Sequence, residues 1–398
     1  MTSSTQTVPD HILDKITQQL STTRYASILK PLSGGTVNFV FRGILAEPIA
    51  IPDGITSKTI IVKHSTEFLA VNKDFAIDIS RCVNHNSTLF TSGQESMLNV
   101  LNNFPSNLEG PVVKAPYLYF FDKKTNTQIL EDFPSAVDLK SILVSPSNNE
   151  VFTPLVAAAL GWRLGSWLRS FHDWTSRAPQ AGLTATIGQN KAMRDLKYLV
   201  TYDSFLKVLE NFPKPLEGVR ETLEEVKAAA EDEFRRSVGD PIADGREGWG
   251  VIHGDFWTGN VLVPEVPPLQ AKTLGEAKSF VVDWEFVQFG HRAYDVGQMI
   301  GCLYERKHFK NANGAIAAIE KFVRGYGQVS DDFAFRSAIH TGIHLIGWYT
   351  RRPANAPLPF ALTEVEEIIR LGRDFILKAW VRDKKWFAQT LLASFFER

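Results

Sequence analysis

Val251-Ile252-His253-Gly254-Asp255-Phe256-Trp257-Thr258-Gly259-Asn260-Val261-Leu262-Val263 reads as an apolar strand, His-Gly-Asp, four residues, Asn, and a second apolar strand. A further carboxylate, Asp283, ends the apolar run Phe280-Val281-Val282. A lone His-Gly-Asp is an ordinary turn, because Gly and Asp are common turn residues. The turn reading loses ground once Asn260, both flanking strands and Asp283 are required together.

These residue types suit phosphoryl transfer. That chemistry demands an acceptor oxygen held in line with a γ-phosphate and stabilisation of spread negative charge, with little covalent work for the protein. Asp255 is the candidate to hold the acceptor hydroxyl or take its proton. Asn260 and Asp283 supply the hard oxygen atoms that Mg²⁺ prefers, with phosphates and waters completing an octahedron. His253 is expected to hydrogen-bond and pack the loop rather than to transfer a proton.

A nucleotide reading makes demands upstream, and each has a candidate. Leu32-Ser33-Gly34-Gly35-Thr36-Val37-Asn38-Phe39-Val40-Phe41-Arg42 offers a tight glycine turn followed by a half-buried alternation. It is not G-x-G-x-x-G, and alone it equally describes a plain hairpin. Thr59-Ile60-Ile61-Val62-Lys63 is an apolar strand delivering an ammonium. A solvated strand-end lysine is the competing reading. Glu95, on a segment with Met97, Leu98 and Leu101 at helical spacing, is the acid expected to pair with Lys63; a surface glutamate is the alternative. Thr127-Gln128-Ile129-Leu130-Glu131-Asp132-Phe133-Pro134 suits a hinge in which the backbone of Glu131 and Phe133 meets an adenine edge.

In this order the residues resemble the aminoglycoside phosphotransferase / choline kinase-like family of small-molecule kinases, relatives of protein kinases. The matching pieces are Ser33–Arg42, Lys63, Glu95, Gln128–Phe133, His253–Asn260, Asp283-Trp284-Glu285 and Gly290-His291-Arg292-Ala293-Tyr294-Asp295-Val296-Gly297. The resemblance spans about residue 30 to about residue 300. It implies an α+β, two-lobed protein-kinase-like fold, with a β-rich N-lobe and a larger α-rich C-lobe. It implies ATP and Mg²⁺ as cofactors, Asp255 as catalytic base, Asn260 and Asp283 as metal ligands, and Ser33, Gly34, Gly35, Asn38, Lys63, Glu95, Glu131 and Phe133 around the nucleotide. Asp295 is implied as a structural support of the catalytic loop. Departures from protein kinases are Gly254 where they carry Arg, Asp283-Trp284-Glu285 where they carry Asp-Phe-Gly, and the lack of Ala-Pro-Glu. They make a small-molecule acceptor the expectation. Parts of the chain are similar to fructosamine kinases and others to methylthioribose kinase-like members, so a sugar acceptor stays open.

At 398 residues, 44% hydrophobic and 22% charged, the composition is that of a folded globular chain. A net charge of -1 gives no footprint for nucleic acid or an anionic membrane. The two cysteines, Cys82 and Cys302, have no metal-ligand spacing and are expected as reduced thiols of a cytoplasmic protein. The start carries no secretory pattern, and no apolar run reaches the ~20 residues of a membrane span. Two units of one catalytic machine are expected, 1–134 and 135–398. Ser135 is the expected cap of a helix, and 175–189 reads as a loop. Trp257, Trp284, Trp348 and Tyr349 are candidates for a cation cage. The rival readings are a pseudokinase scaffold and a metal hydrolase built on His253 and Asp255. The acceptor and the oligomeric state are left open by the sequence.

Overall fold

The computed structural model describes residues 9–32, 38–50, 56–66, 87–104, 113–144, 152–240, 248–264, 278–351 and 357–397. Two compact units emerge, Met1–Asn103 with Ala115–Ser135, and Phe104–Lys114 with Ala136–Arg398. The second unit thus takes in a short upstream segment as well as everything after Ser135. The fold is α+β, with a sheet-rich first unit and a larger helical second unit.

The first unit is a five-stranded antiparallel sheet in the order β1 (Ser27–Pro31), β2 (Phe39–Ala50), β3 (Thr56–His64), β6 (Thr127–Glu131), β5 (Leu118–Asp122). Alternation sets its faces: Phe39, Phe41 and Leu45 of β2 point inward, as do Ile60 and Val62 of β3. Helix α1 (Asp10–Ser21) covers that face with Ile12, Ile16 and Leu20, one residue per turn. Pro9 is the residue before its first turn, where a missing N–H costs nothing. Strand β2 runs to Ala50 because the ladder with β3 resumes after an irregularity between Ile44 and Ile49. Helix α2 (Ser87–Leu101) buries Met97 and Leu98.

The second unit holds a four-stranded sheet, β4 (Val113–Lys114), β10 (Ser279–Val281), β9 (Val261–Pro264), β7 (Ala136–Asp138), and a ribbon of β8 (Trp249–Ile252) with β11 (Gln288–His291). Around them stand α3 (Pro154–Thr175), α4 (Lys191–Tyr198), α5 (Arg220–Arg235), α6 (Ala293–Lys310), α7 (Asn313–Tyr326), α8 (Asp331–Gly347) and α9 (Leu362–Trp380). Two expectations change here. Ser135 caps no helix: strand β7 takes Ala136–Asp138 into the sheet, and Asp138 caps the helix at Leu139–Val144 through Ser141 N at 2.8 Å and Ser141 Oγ at 2.7 Å. The stretch 175–189 is not a plain loop but contains a helix, Ala181–Gly188, whose Leu183 and Ile187 are buried one turn apart.

Candidate active site

The candidate site of the second unit is built by two strand pairings. Strand β8 ends at Ile252, opposite Gln288 of β11, and the chain turns through His253-Gly254-Asp255. Gly254 has φ +80°, and a Cβ there would meet the carbonyl of Phe286. Only glycine meets both conditions without strain. Strand β9 pairs with β10 so that Val261 faces Val281 and Leu262 faces Phe280. One step further, Val282 N donates to Asn260 O at 2.9 Å. That register puts Asn260 opposite Val282, the residue before Asp283, although 22 residues of sequence lie between Asn260 and Asp283. Asp283 adopts a left-handed conformation, φ 68° and ψ 57°. Such a backbone is rare outside glycine and collects at functional turns.

The Asp255 carboxylate is held at both oxygens. Oδ2 accepts from Trp257 Nε1 at 3.2 Å and from Asn260 Nδ2 at 3.0 Å, and Oδ1 accepts from Gln298 Nε2 at 2.6 Å. Asn260 Nδ2 also donates to Asp255 O at 2.9 Å. With its nitrogen so engaged, Asn260 keeps its oxygen as the side for a cation. Among the described residues no group of three or more His, Cys, Asp or Glu stands as a preformed metal cage. The Asn260–Asp283 pair fits the Mg²⁺ habit of one or two protein oxygens completed by phosphates and water.

His253 is buried and neutral. Asp255 N donates to its Nδ1 at 3.2 Å, which makes Nε2 the donor to Val282 O at 3.0 Å. Burial pushes its pKa below the usual histidine range. Both ring nitrogens are therefore used in holding the loop, which removes His253 as a metal ligand or proton carrier. Below the loop lies Asp295, fully buried on α6. Its Oδ2 accepts from His253 N at 2.8 Å and His172 Nε2 at 3.1 Å, and its Oδ1 from Gly254 N at 2.9 Å. Burial alone would raise its pKa, but these donors prevail and hold it below the usual carboxylate range. His172 is in turn fixed by the Tyr326 hydroxyl at 2.9 Å, a packed histidine and not a ligand.

The first unit presents Lys63 on β3, 7% exposed, with Val40 and Gln128 as its strand neighbours. Asn38 is also buried, whereas Ser33, Gly34 and Gly35 lie outside the described residues. Glu95 corrects an expectation. Its carboxylate pairs with Lys123 at 2.9 Å, on the turn between β5 and β6, and not with Lys63. The residue of α2 that reaches β6 is its neighbour Gln94, whose Oε1 accepts from Gln128 Nε2 at 3.1 Å. Consecutive helical residues point about 100° apart, so only one of the two faces the sheet. Glu131 N donates to Tyr117 O at 2.9 Å. Asp132, passed over in the sequence, takes Arg42 in a two-point ion pair at 2.8 and 3.1 Å.

The four aromatics proposed as a cage do not form one. Trp284 is buried against Trp167 and Phe171, Trp257 lies under the Lys140 ammonium at 5.4 Å, and Trp348 and Tyr349 pack with Phe309 and Phe212. Sequence reading also missed Gln298. The signal was its place three residues after Asp295, on the same side of one helix.

Comparison with known proteins places the chain by family. The phosphotransferase enzyme family profile matches residues 145–338. The chain is 30% identical over 401 residues to Phosphotransferase FrzJ of Cladobotryum sp, covering 99% of each chain. It is 20% identical to 4-hydroxytryptamine kinase of Psilocybe cubensis, over 85% of each chain. Among solved structures, a choline/ethanolamine kinase family protein from Mesorhizobium loti aligns with a TM-score of 0.45 and 17% identity, over 96% of this chain and 98% of that one. The chain belongs to the phosphotransferase enzyme family.

Proposed function

We propose that this chain is an ATP-dependent kinase that phosphorylates a hydroxyl of a small metabolite. The observation that carries the reading is the hydrogen-bonded pair Asp255–Asn260 beside Asp283, set on a loop that Asp295 holds from below. In the reaction the acceptor oxygen attacks the γ-phosphorus of ATP. The new O–P bond forms as the bond to the β-phosphate oxygen breaks, and ADP leaves. Asp255 accepts the hydroxyl proton. Asn260 and Asp283 hold Mg²⁺, which neutralises charge on the phosphates when bound. Lys63 serves the phosphates, and Glu131 and Phe133 serve the base.

Two rival readings lose support. A metal hydrolase needs a ligand or proton carrier in His253, whose nitrogens are both committed. A scaffold without turnover has no use for Asp255, Asn260 and Asp283 gathered on adjoining segments. For the acceptor, a hydroxylated indole amine is the first probe, because one relative is named a 4-hydroxytryptamine kinase; sugars follow. The test is a Mg-ATP thermal shift together with ADP release across hydroxylated metabolites. A ligand that binds the native state raises its melting point. Asp255→Asn is expected to keep the Mg-ATP shift and lose turnover by roughly 10²–10⁴-fold. Undiminished ADP release in that variant sinks the assignment of Asp255, and no Mg-ATP shift in the wild type sinks the kinase reading.

A further inference from the structure

Lys197, near the end of α4, is 3% exposed, an unusual setting for an ammonium. Its Nζ donates to Gln298 Oε1 at 2.7 Å, and Gln298 Nε2 donates to Asp255 Oδ1 at 2.6 Å. Gln298 is itself 7% exposed. The three side chains come from α4, α6 and the loop after β8, with successive partners 101 and 43 positions apart in the sequence.

We propose that Gln298 is the positioning residue for Asp255, and that Lys197 fixes the direction in which Gln298 acts. The inference rests on the reading of Asp255 as the group that meets the acceptor hydroxyl. An ammonium has three donors and no acceptor. Facing it, the glutamine must present its oxygen, so its NH₂ must face Asp255. An ionised carboxylate has only acceptors, so the second contact requires the same orientation. An amide between two neutral partners can flip; between a cation and an anion it cannot.

The consequence is a choice of oxygen. Each carboxylate oxygen offers about two acceptor sites. Oδ2 of Asp255 has both taken, by Trp257 and Asn260. Oδ1 has one taken, by Gln298. The unused position belongs to Oδ1, which makes it the oxygen that receives the hydroxyl proton. Without Gln298 the carboxylate is anchored along one edge only, and rotation about its terminal bond is no longer opposed. Helix α6 is a firm base for the glutamine. At Gly297 a Cβ would strike Ser337 O and His340, so α8 packs directly on the α6 backbone, and Thr341 Oγ1 donates to Gly297 O at 3.3 Å.

The test uses Gln298→Glu, Gln298→Leu and Lys197→Met in the full chain. ADP release from Mg-ATP is measured with water as the acceptor. Gln298→Glu keeps the size of the side chain and its acceptor for Lys197, but faces Asp255 with a second carboxylate. Both Gln298 variants are expected to lose about tenfold or more in kcat, with KM for Mg-ATP unchanged within about threefold. Lys197→Met is expected to lose less, since it acts through Gln298. A Gln298→Glu protein with wild-type kcat overturns the proposal.

A second readout needs no turnover. The pair Gln298→Glu with Asp255→Asn exchanges donor and acceptor, so it is expected to recover most of the melting temperature that Gln298→Glu loses while staying inactive. If the two changes lower the melting temperature additively, Gln298 does not hold Asp255 and the proposal fails. If the wild type itself shows neither ADP release nor a Mg-ATP shift, the kinase reading fails, and the exchange experiment still decides the contact.

Discussion

Asp295 is the residue on which the geometry of the loop depends most, and Asp295→Asn is the perturbation that measures it. The carboxylate accepts three donors: His253 N and His172 Nε2 on Oδ2, Gly254 N on Oδ1. All are buried, so water cannot replace a lost partner. Asparagine has nearly the same shape but one acceptor oxygen. Placed at the Oδ2 position, that oxygen keeps two donors and turns an NH₂ against Gly254 N–H. Placed at Oδ1, it keeps one and turns the NH₂ against two. The first choice is better, and it still exchanges one charge-assisted bond for a donor–donor contact. Such a bond contributes about 1.5–3 kcal/mol and an unsatisfied buried donor costs about 1–3 kcal/mol. A neutral amide is easier to bury than a carboxylate, which offsets part of the sum. The expected loss is about 2–4 kcal/mol for Asp295→Asn. For Asp295→Ala, which strands all three donors, it is about 3–5 kcal/mol. The assay is urea unfolding followed by tryptophan fluorescence. All nine tryptophans fall between Trp162 and Trp386, so the signal reports the second unit alone. Turnover should fall in step, since a shift of about 1 Å in a catalytic group costs on the order of a hundredfold. A loss below about 0.5 kcal/mol for Asp295→Asn, the range of an ordinary surface substitution, would refute the idea that Asp295 holds the loop through these three donors.

Two further perturbations read the same unit. Gly254→Ala places a Cβ at φ +80° against the Phe286 carbonyl, and is expected to cost about 2–4 kcal/mol from backbone strain and overpacking together, read as a lower urea midpoint; an unchanged midpoint would show that the turn relaxes freely. His291 is buried with its pKa lowered to about 4, chiefly by burial, and its Nδ1 accepts from Ala293 N at 3.3 Å. The unfolded chain, titrating near 6.5, binds the proton first, so stability is full above that value and declines as pH falls from about 6.5 towards 4, by up to about 3 kcal/mol. His291→Phe should flatten that part of the stability–pH curve, and a curve of the same slope in the variant would remove His291 as its source.

Much of the candidate site was legible because its residues lie close together along the chain. His253 to Asn260 is one turn between two strands, and Asp283 follows the next strand, so spacing and apolar runs carried both. Lys63 on β3 and the inward alternation of β2 were legible for the same reason. What the sequence did not reveal was decided by partners distant along the chain. Glu95 meets Lys123, Arg42 meets Asp132 and Lys197 meets Gln298, and no periodicity encodes any of them. Ser135 looked like a cap on propensity, but the pairing of Val137 with Val263 carries the strand through to Asp138 and moves the helix start three residues on. Tertiary pairing overruled a local preference there, and the burial of Leu183 and Ile187 overruled the breakers Pro179 and Gly182 in the same way.

Gly254 shows how a departure noticed in the sequence acquires a physical cause. In the sequence it marked the difference between His-Gly-Asp and the His-Arg-Asp of protein kinases. In the fold it sits at φ +80°, with its N–H on Asp295 Oδ1 and the Phe286 carbonyl where a Cβ would stand. An arginine at 254 would need the loop to move away from Phe286, and Phe286 follows Asp283 by three residues. Moving that segment disturbs the left-handed turn at Asp283 and the Val282–Asn260 bond that sets the two candidate metal ligands together. The glycine is therefore coupled to the register of the two candidate ligands through one close contact. This predicts that Gly254→Arg weakens the Mg²⁺ dependence of the Mg-ATP thermal shift along with stability. Loss of stability with an undiminished Mg²⁺-dependent shift would separate the two and refute the coupling.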